Sequence, residues 1–195
     1  MSRTAQAHRV TGETDVRVQI TLDGHGESTI ATGVGFFDHM LTLLARHALV
    51  SLDVEARGDL ETGSHHTVED VGITLGQALA EALGDRSGIE RYGSALVPMD
   101  ECLVQVALDL SGRPHLSLDL PLPVTVIGGF ETELVGEFLR GLVNHAGMTL
   151  HVNLLSSGNV HHAIEGTFKA LARALRAAIA VNPRVHGVPS TKGSL

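Results

Sequence analysis

The stretch GSHHTVEDVGITLGQAL beginning at Gly63 and the stretch GNVHHAIEGTFKALARAL beginning at Gly158 carry one phrase twice: His-His-x-x-Glu leading into an apolar run at helical spacing. The surroundings repeat as well. His47 matches His145, and LDV at 52–54 matches LHV at 150–152, both 98 residues apart. The His-His pairs lie 96 apart, so only the strand-to-helix loop between has changed length, by two residues. Solenoid units run to about 20–50 residues. A period near 98 therefore predicts two fused copies of one small α+β unit, with approximate internal two-fold symmetry.

The elements follow the same plan. RVTGETDVRVQITL alternates Val16, Val18, Ile20 and Leu22 with polar neighbours, and DGHG at 23–26 turns it into ESTIATG, which predicts a hairpin. FFDHMLTLLARHAL has helical spacing and VSLDVEA returns to period two. HHTVEDVGITLGQALAEAL is a second helix with Gly84 as its stop. The second half reads alike: SALVPMDECLVQVALDL turns at SGRP (111–114) into HLSLDLPL, then come a helix in ETELVGEFLRGLVNHAG, a strand in MTLHVNLL and a closing helix. Each half is ββαβα. The expectation is a single domain over 1–195, with repeats at about 9–92 and 93–182 and a tail at 183–195.

Composition narrows what such a body can do. Apolar residues make up 43% of the chain but aromatic ones only 3%, so aliphatic side chains must fill the core. Charged residues, at 18%, are few, which suggests surface given over to subunit contacts. The formal net charge of −8, with no Lys/Arg run, argues against a nucleic-acid partner. No signal-peptide core and no run approaching the roughly 20 apolar residues of a membrane span is present, so the expected location is cytoplasmic and off the membrane. The lone Cys102 excludes an internal disulfide and leaves metal binding to nitrogen and oxygen donors. Histidine is the outlier: 12 residues against 14 Lys+Arg.

On a helix, residues four apart share a face while neighbours diverge by about 100°. His65 can thus share an ion with Glu69, and His161 with Glu165, while His66 and His162 point elsewhere and would serve a different ion. One such motif alone reads better as an ordinary helix start, because a Glu in the first turn favours the helix dipole. Two copies that retain the same polar positions while apolar neighbours have drifted favour metal. A donor set of imidazole and carboxylate suits Mn, Fe, Co, Ni or Zn. His39 opens the other helix of the first half and is a further candidate; His47 and His145 better suit packing. Arg91, Arg113, Lys169, Ser190 and Lys192 are each ordinary surface residues alone, but together in an acidic chain they would make a phosphate pocket.

Taken together, FFDHML, HHTVEDVGITLGQAL, DLSGRPH, NHAGMTLHV, HHAIEGTFKALARALR and NPRVHGVPSTKG resemble the imidazoleglycerol-phosphate dehydratase family over nearly all of residues 8–195. The resemblance implies two fused ββαβα halves with helices packed between two four-stranded sheets, and a homo-oligomer of 24 subunits with metal sites at subunit contacts. It implies two Mn2+ per active site, other divalent metals being possible, with His39, His65, His66, Glu69, His161, His162 and Glu165 as ligands. The family often has an eighth, histidine ligand where this chain has Glu137; a carboxylate can coordinate Mn2+ there or a water can replace it, and both readings stay open. The family's frequent tyrosine after SGRP is His115.

The implied reaction is dehydration of D-erythro-imidazoleglycerol phosphate to imidazole acetol phosphate, a hydro-lyase step of histidine biosynthesis. The proton to be removed is not acidified by any carbonyl. Two ions on the ring nitrogens would hold the ring as imidazolate, whose charge expels the hydroxyl and gives a diazafulvene-like intermediate. The resemblance points to Glu13 as the general base that completes the elimination, and to Arg91, Arg113, Lys169, Ser190 and Lys192 as the phosphate grip. The rival classes are a metal store and a dinuclear phosphatase.

Overall fold

The alternating side chains Val16, Val18 and Ile20 fall on one face of a strand, and that face is buried in the computed structural model, which describes residues 3–193 and Leu195. The first half runs β1 (Thr4–Val10), β2 (Thr14–Thr21), β3 (Ser28–Ala31), α1 (Gly35–Ala48), β4 (Ser51–Gly58) and α2 (His65–Leu83). The second runs β5 (Tyr92–Met99), β6 (Cys102–Asp109), β7 (His115–Asp119), a short β8–β9 hairpin (Val126–Ile127 and Phe130–Glu131), α3 (Leu134–Ala146), β10 (Thr149–Ser156) and α4 (Val160–Ile179). Two four-stranded sheets result, ordered β1-β2-β4-β3 and β5-β6-β10-β7. The helices lie between them: α2 rests on the first sheet and against α3, α4 on the second sheet and against α1. This is the expected two-fold α+β plan.

The hairpins differ from the sequence expectation. RVTGETDVRVQITL is itself a hairpin, because Thr11 Oγ1 accepts from the backbone N–H groups of Glu13 (3.1 Å) and Thr14 (3.0 Å) and folds the chain back after Val10. SALVPMDECLVQVALDL likewise turns at Asp100-Glu101, with Asp100 at φ 49 and Met99 paired to Cys102. The segments after DGHG and SGRP do not pair back onto the strand before them. Instead β3 runs parallel to β4, and β7 parallel to β10. Both edges of β2 are already taken by β1 and β4, as both edges of β6 are by β5 and β10, so the third strand must go to the far side. Each four-stranded sheet therefore holds the three strands of ββαβα and one more, and the second half adds the β8–β9 pair.

Gly84 does stop α2, at φ 55 with its N–H bonded to the Glu81 carbonyl at 3.2 Å. Where α2 crosses α3, backbone meets backbone: a Cβ on Gly72 would lie 2.5 Å from the Phe138 carbonyl oxygen. The core is aliphatic except for the chain's five phenylalanines, which join in one run of ring contacts. Phe36 and Phe37 of α1 pack on Phe130 (both 5.7 Å between centroids), Phe37 on Phe138 (5.4 Å) and Phe138 on Phe168 (5.3 Å). No helix among the described residues is long and apolar enough to cross a membrane.

Candidate active site

The repeated motif opens α2 and α4, and the four-residue spacing brings its outer members together in both. His65 Nε2 lies 3.5 Å from Glu69 Oε2, and His161 Nε2 lies 3.1 Å from Glu165 Oε2. Asn159 caps α4 by accepting from the His161 N–H at 2.8 Å. His39 arrives from α1, its Nε2 3.6 Å from Glu165 Oε2, so that one donor atom each from His39, His161 and Glu165 lies within 4.8 Å of the others. Phe36 sets its ring edge-on to His161 at 5.0 Å.

Glu165 is only 8% exposed and its second oxygen takes Lys169 Nζ at 2.7 Å. Burial pushes its carboxyl up, but Lys169, His161 and His39 outweigh burial and hold it below the ordinary carboxylate value. A buried, ionised carboxylate flanked by two imidazoles, with no thiolate near, fits a borderline divalent cation such as Mn2+, Fe2+ or Zn2+. The α2 counterpart is more open: His65 and Glu69 are each about half exposed at the side chain. Glu137 occupies on α3 the place of His39 on α1 and lines a cleft with His65, Glu131 and Glu133, though its carboxylate is paired with Arg140 at 2.7 Å.

The inner histidines turn away, as the helical geometry requires. The rings of His65 and His66 stand at 80° and those of His161 and His162 at 84°. His66 Nδ1 donates to both oxygens of Asp59 (3.1 and 3.0 Å), and its Nε2 lies 3.8 Å from Glu13. The Asp59 hydrogen bond raises the His66 pKa above the ordinary imidazole value, against a smaller desolvation effect. His162 Nδ1 donates to Glu101 at 3.1 Å, with Asp100 at 3.9 Å. The backbone N–H of Asn159, 2.6 Å from Glu101, is the main reason that this carboxyl falls to about 2; His162 adds to it.

Glu13 stands at the β1–β2 tip rather than within a strand, and Asp70, one residue past the motif's Glu69, fixes that tip. Arg9 Nε donates to Asp70 at 2.8 Å and Thr14 Oγ1 donates to the other oxygen of Asp70, so one buried carboxylate holds both strands of the hairpin over α2.

Arg91, Arg113, Ser190 and Lys192 line one cleft together with Tyr92 and Thr191. Arg91 sits at φ 71 and is held by Asp109 through two hydrogen bonds, 2.7 and 3.0 Å. Lys169 does not join this group within one chain, because its ammonium lies on Glu165. Asp59, Asp70, Asp100 and Glu101 are absent from the sequence-derived set. The missing signal is the Asp100-Glu101 turn: once it divides the long apolar stretch, β1 and β5 start 88 residues apart and Glu13 and Glu101 fall into register.

The family model for imidazoleglycerol-phosphate dehydratase matches residues 32–175. An imidazoleglycerol-phosphate dehydratase of Desulforamulus reducens is 60% identical, and one of Moorella thermoacetica 58% identical, over 195 residues that cover all of each chain. The crystal structure of imidazoleglycerol-phosphate dehydratase from Staphylococcus aureus superposes with a TM-score of 0.83 at 44% identity, covering 92% of this chain and 99% of that one. The enzyme from Pyrococcus furiosus, solved in complex with (S)-C348, gives 0.83 at 39% identity, covering 96% and 99%. Full-length identity at this level, carried on two copies of His-His-x-x-Glu that open equivalent helices, makes this chain a hydro-lyase of histidine biosynthesis and a member of the imidazoleglycerol-phosphate dehydratase family.

Proposed function

We propose that the chain dehydrates D-erythro-imidazoleglycerol phosphate to imidazole acetol phosphate with two divalent cations, Mn2+ foremost. His39, His161 and Glu165 would hold one; His65 and Glu69, with Glu137 as the carboxylate in place of the family's frequent histidine, would hold the other; and His66 and His162 would complete the sets. The observation that carries this reading is the convergence of His39, His161 and Glu165 from two helices within 4.8 Å. Bound ions supply Lewis acidity toward the nitrogens of an imidazole ring, which an elimination running through the ring by a diazafulvene-like route requires.

The remaining work belongs to the chain's own residues. Glu13 takes the proton at its carboxylate, held in place by the Thr11 turn and the Asp70 clamp. Arg91, Arg113, Ser190 and Lys192 grip the phosphate from one cleft, the fork of Arg91 being pre-set by Asp109. Lys169 adds positive charge where the anionic substrate meets the metal set. Fixing both ends of the substrate converts binding into alignment of the reacting carbon with the base.

Within one chain His39, His161 and Glu165 offer three donors, and an octahedral Mn2+ takes more. The remainder is supplied by a second copy in a homo-oligomer of 24 subunits, which the low charge content suits. The site of action is the cytoplasm, where a chain with one buried thiol and no disulfide is at home.

The test is turnover of imidazoleglycerol phosphate by metal-stripped protein with and without added Mn2+, following ketone and free phosphate together. Ketone formed only with Mn2+, without phosphate release, is the expected result. Ketone formed equally without metal overturns the metal assignment. Phosphate release identifies a phosphatase instead, and many weakly bound ions with no ketone identify a metal store.

A further inference from the structure

The second histidine of each motif copy is held by one acid, and the two acids come from different elements. His66 Nδ1 donates to Asp59, in the loop between β4 and α2. His162 Nδ1 donates to Glu101, at the β5–β6 tip. An ionised carboxylate only accepts, so in both rings the hydrogen sits on Nδ1 and the lone pair on Nε2. Without these acceptors the ring could turn over about its last torsion, exchanging the two nitrogens, because that torsion is broad and two-fold. In the first half the Nε2 edge faces Glu13, the base of the reading above.

We infer that Asp59 and Glu101 are positioning residues that fix the tautomer and direction of His66 and His162, so that each presents Nε2 to a divalent cation; the inference rests on the metal reading above. The pair is an asymmetric solution to one requirement. Asp59 has Ser157 at the matching loop position 98 residues on, and Glu101 matches Glu13, so the two halves recruited their acids from different places.

Direct chelation of an ion by Asp100, Glu101 and His162 accounts for less. It would use Nδ1 of His162, already bonded to Glu101, whose carboxylate also accepts the Asn159 N–H at 2.6 Å. It also has no parallel in the first half, where Gly12 takes the place of Asp100.

Mn2+ binding to the full-length assembled protein, read from the electron paramagnetic resonance signal of free Mn2+, tests the inference. Asp59→Ala and Glu101→Ala should each weaken one ion by about 10- to 100-fold, the usual loss when the acceptor behind a metal-binding histidine is removed. Asp59→Asn and Glu101→Gln, whose amide oxygens still accept from Nδ1, should restore binding to within several-fold of wild type. A purely structural role would lower the melting temperature of the metal-free protein without this split. If Glu101→Ala does not fold, Glu101→Asp, which keeps the charge but draws the acceptor back by one methylene, is read in its place; unchanged Mn2+ affinity there overturns the inference. His66→Ala and His162→Ala separate the two levels. Loss of an ion in the histidine variants with wild-type affinity in the acid variants overturns the positioning role alone, whereas wild-type affinity in the histidine variants overturns the metal reading beneath it.

Discussion

Glu13 and Glu101 occupy the same place in their two halves, at the tips of β1–β2 and β5–β6, yet they live in different surroundings. Glu101 accepts the Asn159 N–H at the start of α4 and the ring of His162, and its oxygens are committed. The carbonyl of Glu13 accepts the Asp59 N–H at 3.2 Å, but among the described residues its carboxylate accepts no hydrogen bond and simply faces His66 Nε2 at 3.8 Å. The difference follows from the loop before each helix. In the first half Asp59 takes over the contact with the inner histidine and so leaves the Glu13 carboxylate uncommitted. Two acids stand at one position, and the neighbouring loop decides which of them keeps an uncommitted carboxylate.

The contrast is broken most strongly at Glu13 itself. Glu13→Gln keeps the shape of the tip but removes the proton acceptor, and should lower kcat by about 10²- to 10⁴-fold, the usual worth of a general base, with KM nearly unchanged. Steady-state kinetics decide it: unaltered turnover removes Glu13 from the chemistry and erases the distinction between the tips.

A second difference between the halves lies in their helix crossings. Gly72 of α2 meets the α3 backbone, while the equivalent residue of α4, 96 positions on, is the buried Phe168. A methyl at Gly72 has backbone, not a flexible side chain, in its way at 2.5 Å. Gly72→Ala should cost about 1–3 kcal/mol by overpacking, seen as a lower urea midpoint. A neutral result would mean that the crossing can open, and that its closeness is not a property of the first half.

The smallest effect concerns His47 and its match His145. Burial, with Lys169 and Arg173 nearby, lowers the His47 pKa below the ordinary 6.5, whereas His145 is engaged through Nδ1 with the Gly141 carbonyl at 2.9 Å. With a depressed folded pKa the unfolded chain binds the proton first. The contribution of His47 is therefore whole above pH 6.5 and falls as pH drops from there through the folded value. In thermal denaturation of metal-free protein between pH 7.5 and 5, His47→Gln should flatten the loss of stability slightly. An unchanged slope would mean that this difference between the halves has no weight.

The repeat, the helices and the pairs His65–Glu69 and His161–Glu165 were legible in sequence because helical spacing is local: four residues are one turn wherever the helix lies. Strand partners were not. Period two in RVTGETDVRVQITL marks a strand but says nothing of its neighbour, and a turn as small as Asp100-Glu101 hides inside such a run. His39 was a candidate from its place at a helix start and a ligand only by resemblance, and its distance to Glu165 depends on how α1 packs on α4, which no local pattern encodes. Asp59 and Glu101 escaped for the same reason, lying 7 and 61 residues from the histidines that they hold. Lys169, grouped with the phosphate residues by charge and by resemblance, is drawn to Glu165 by the four-residue spacing of their helix.

The run of phenylalanine rings has a consequence for the history of the chain. Phe36 and Phe37 come from the first copy of the unit; Phe130, Phe138 and Phe168 come from the second, and Phe130 sits on a β8–β9 segment that the first copy lacks. Rings from one half are wedged between rings of the other, and one of them rests on His161, so neither half closes its own core. A gene encoding either half alone would make a protein with an unfilled aromatic socket, and each half's further drift is now constrained by the shape of its sibling.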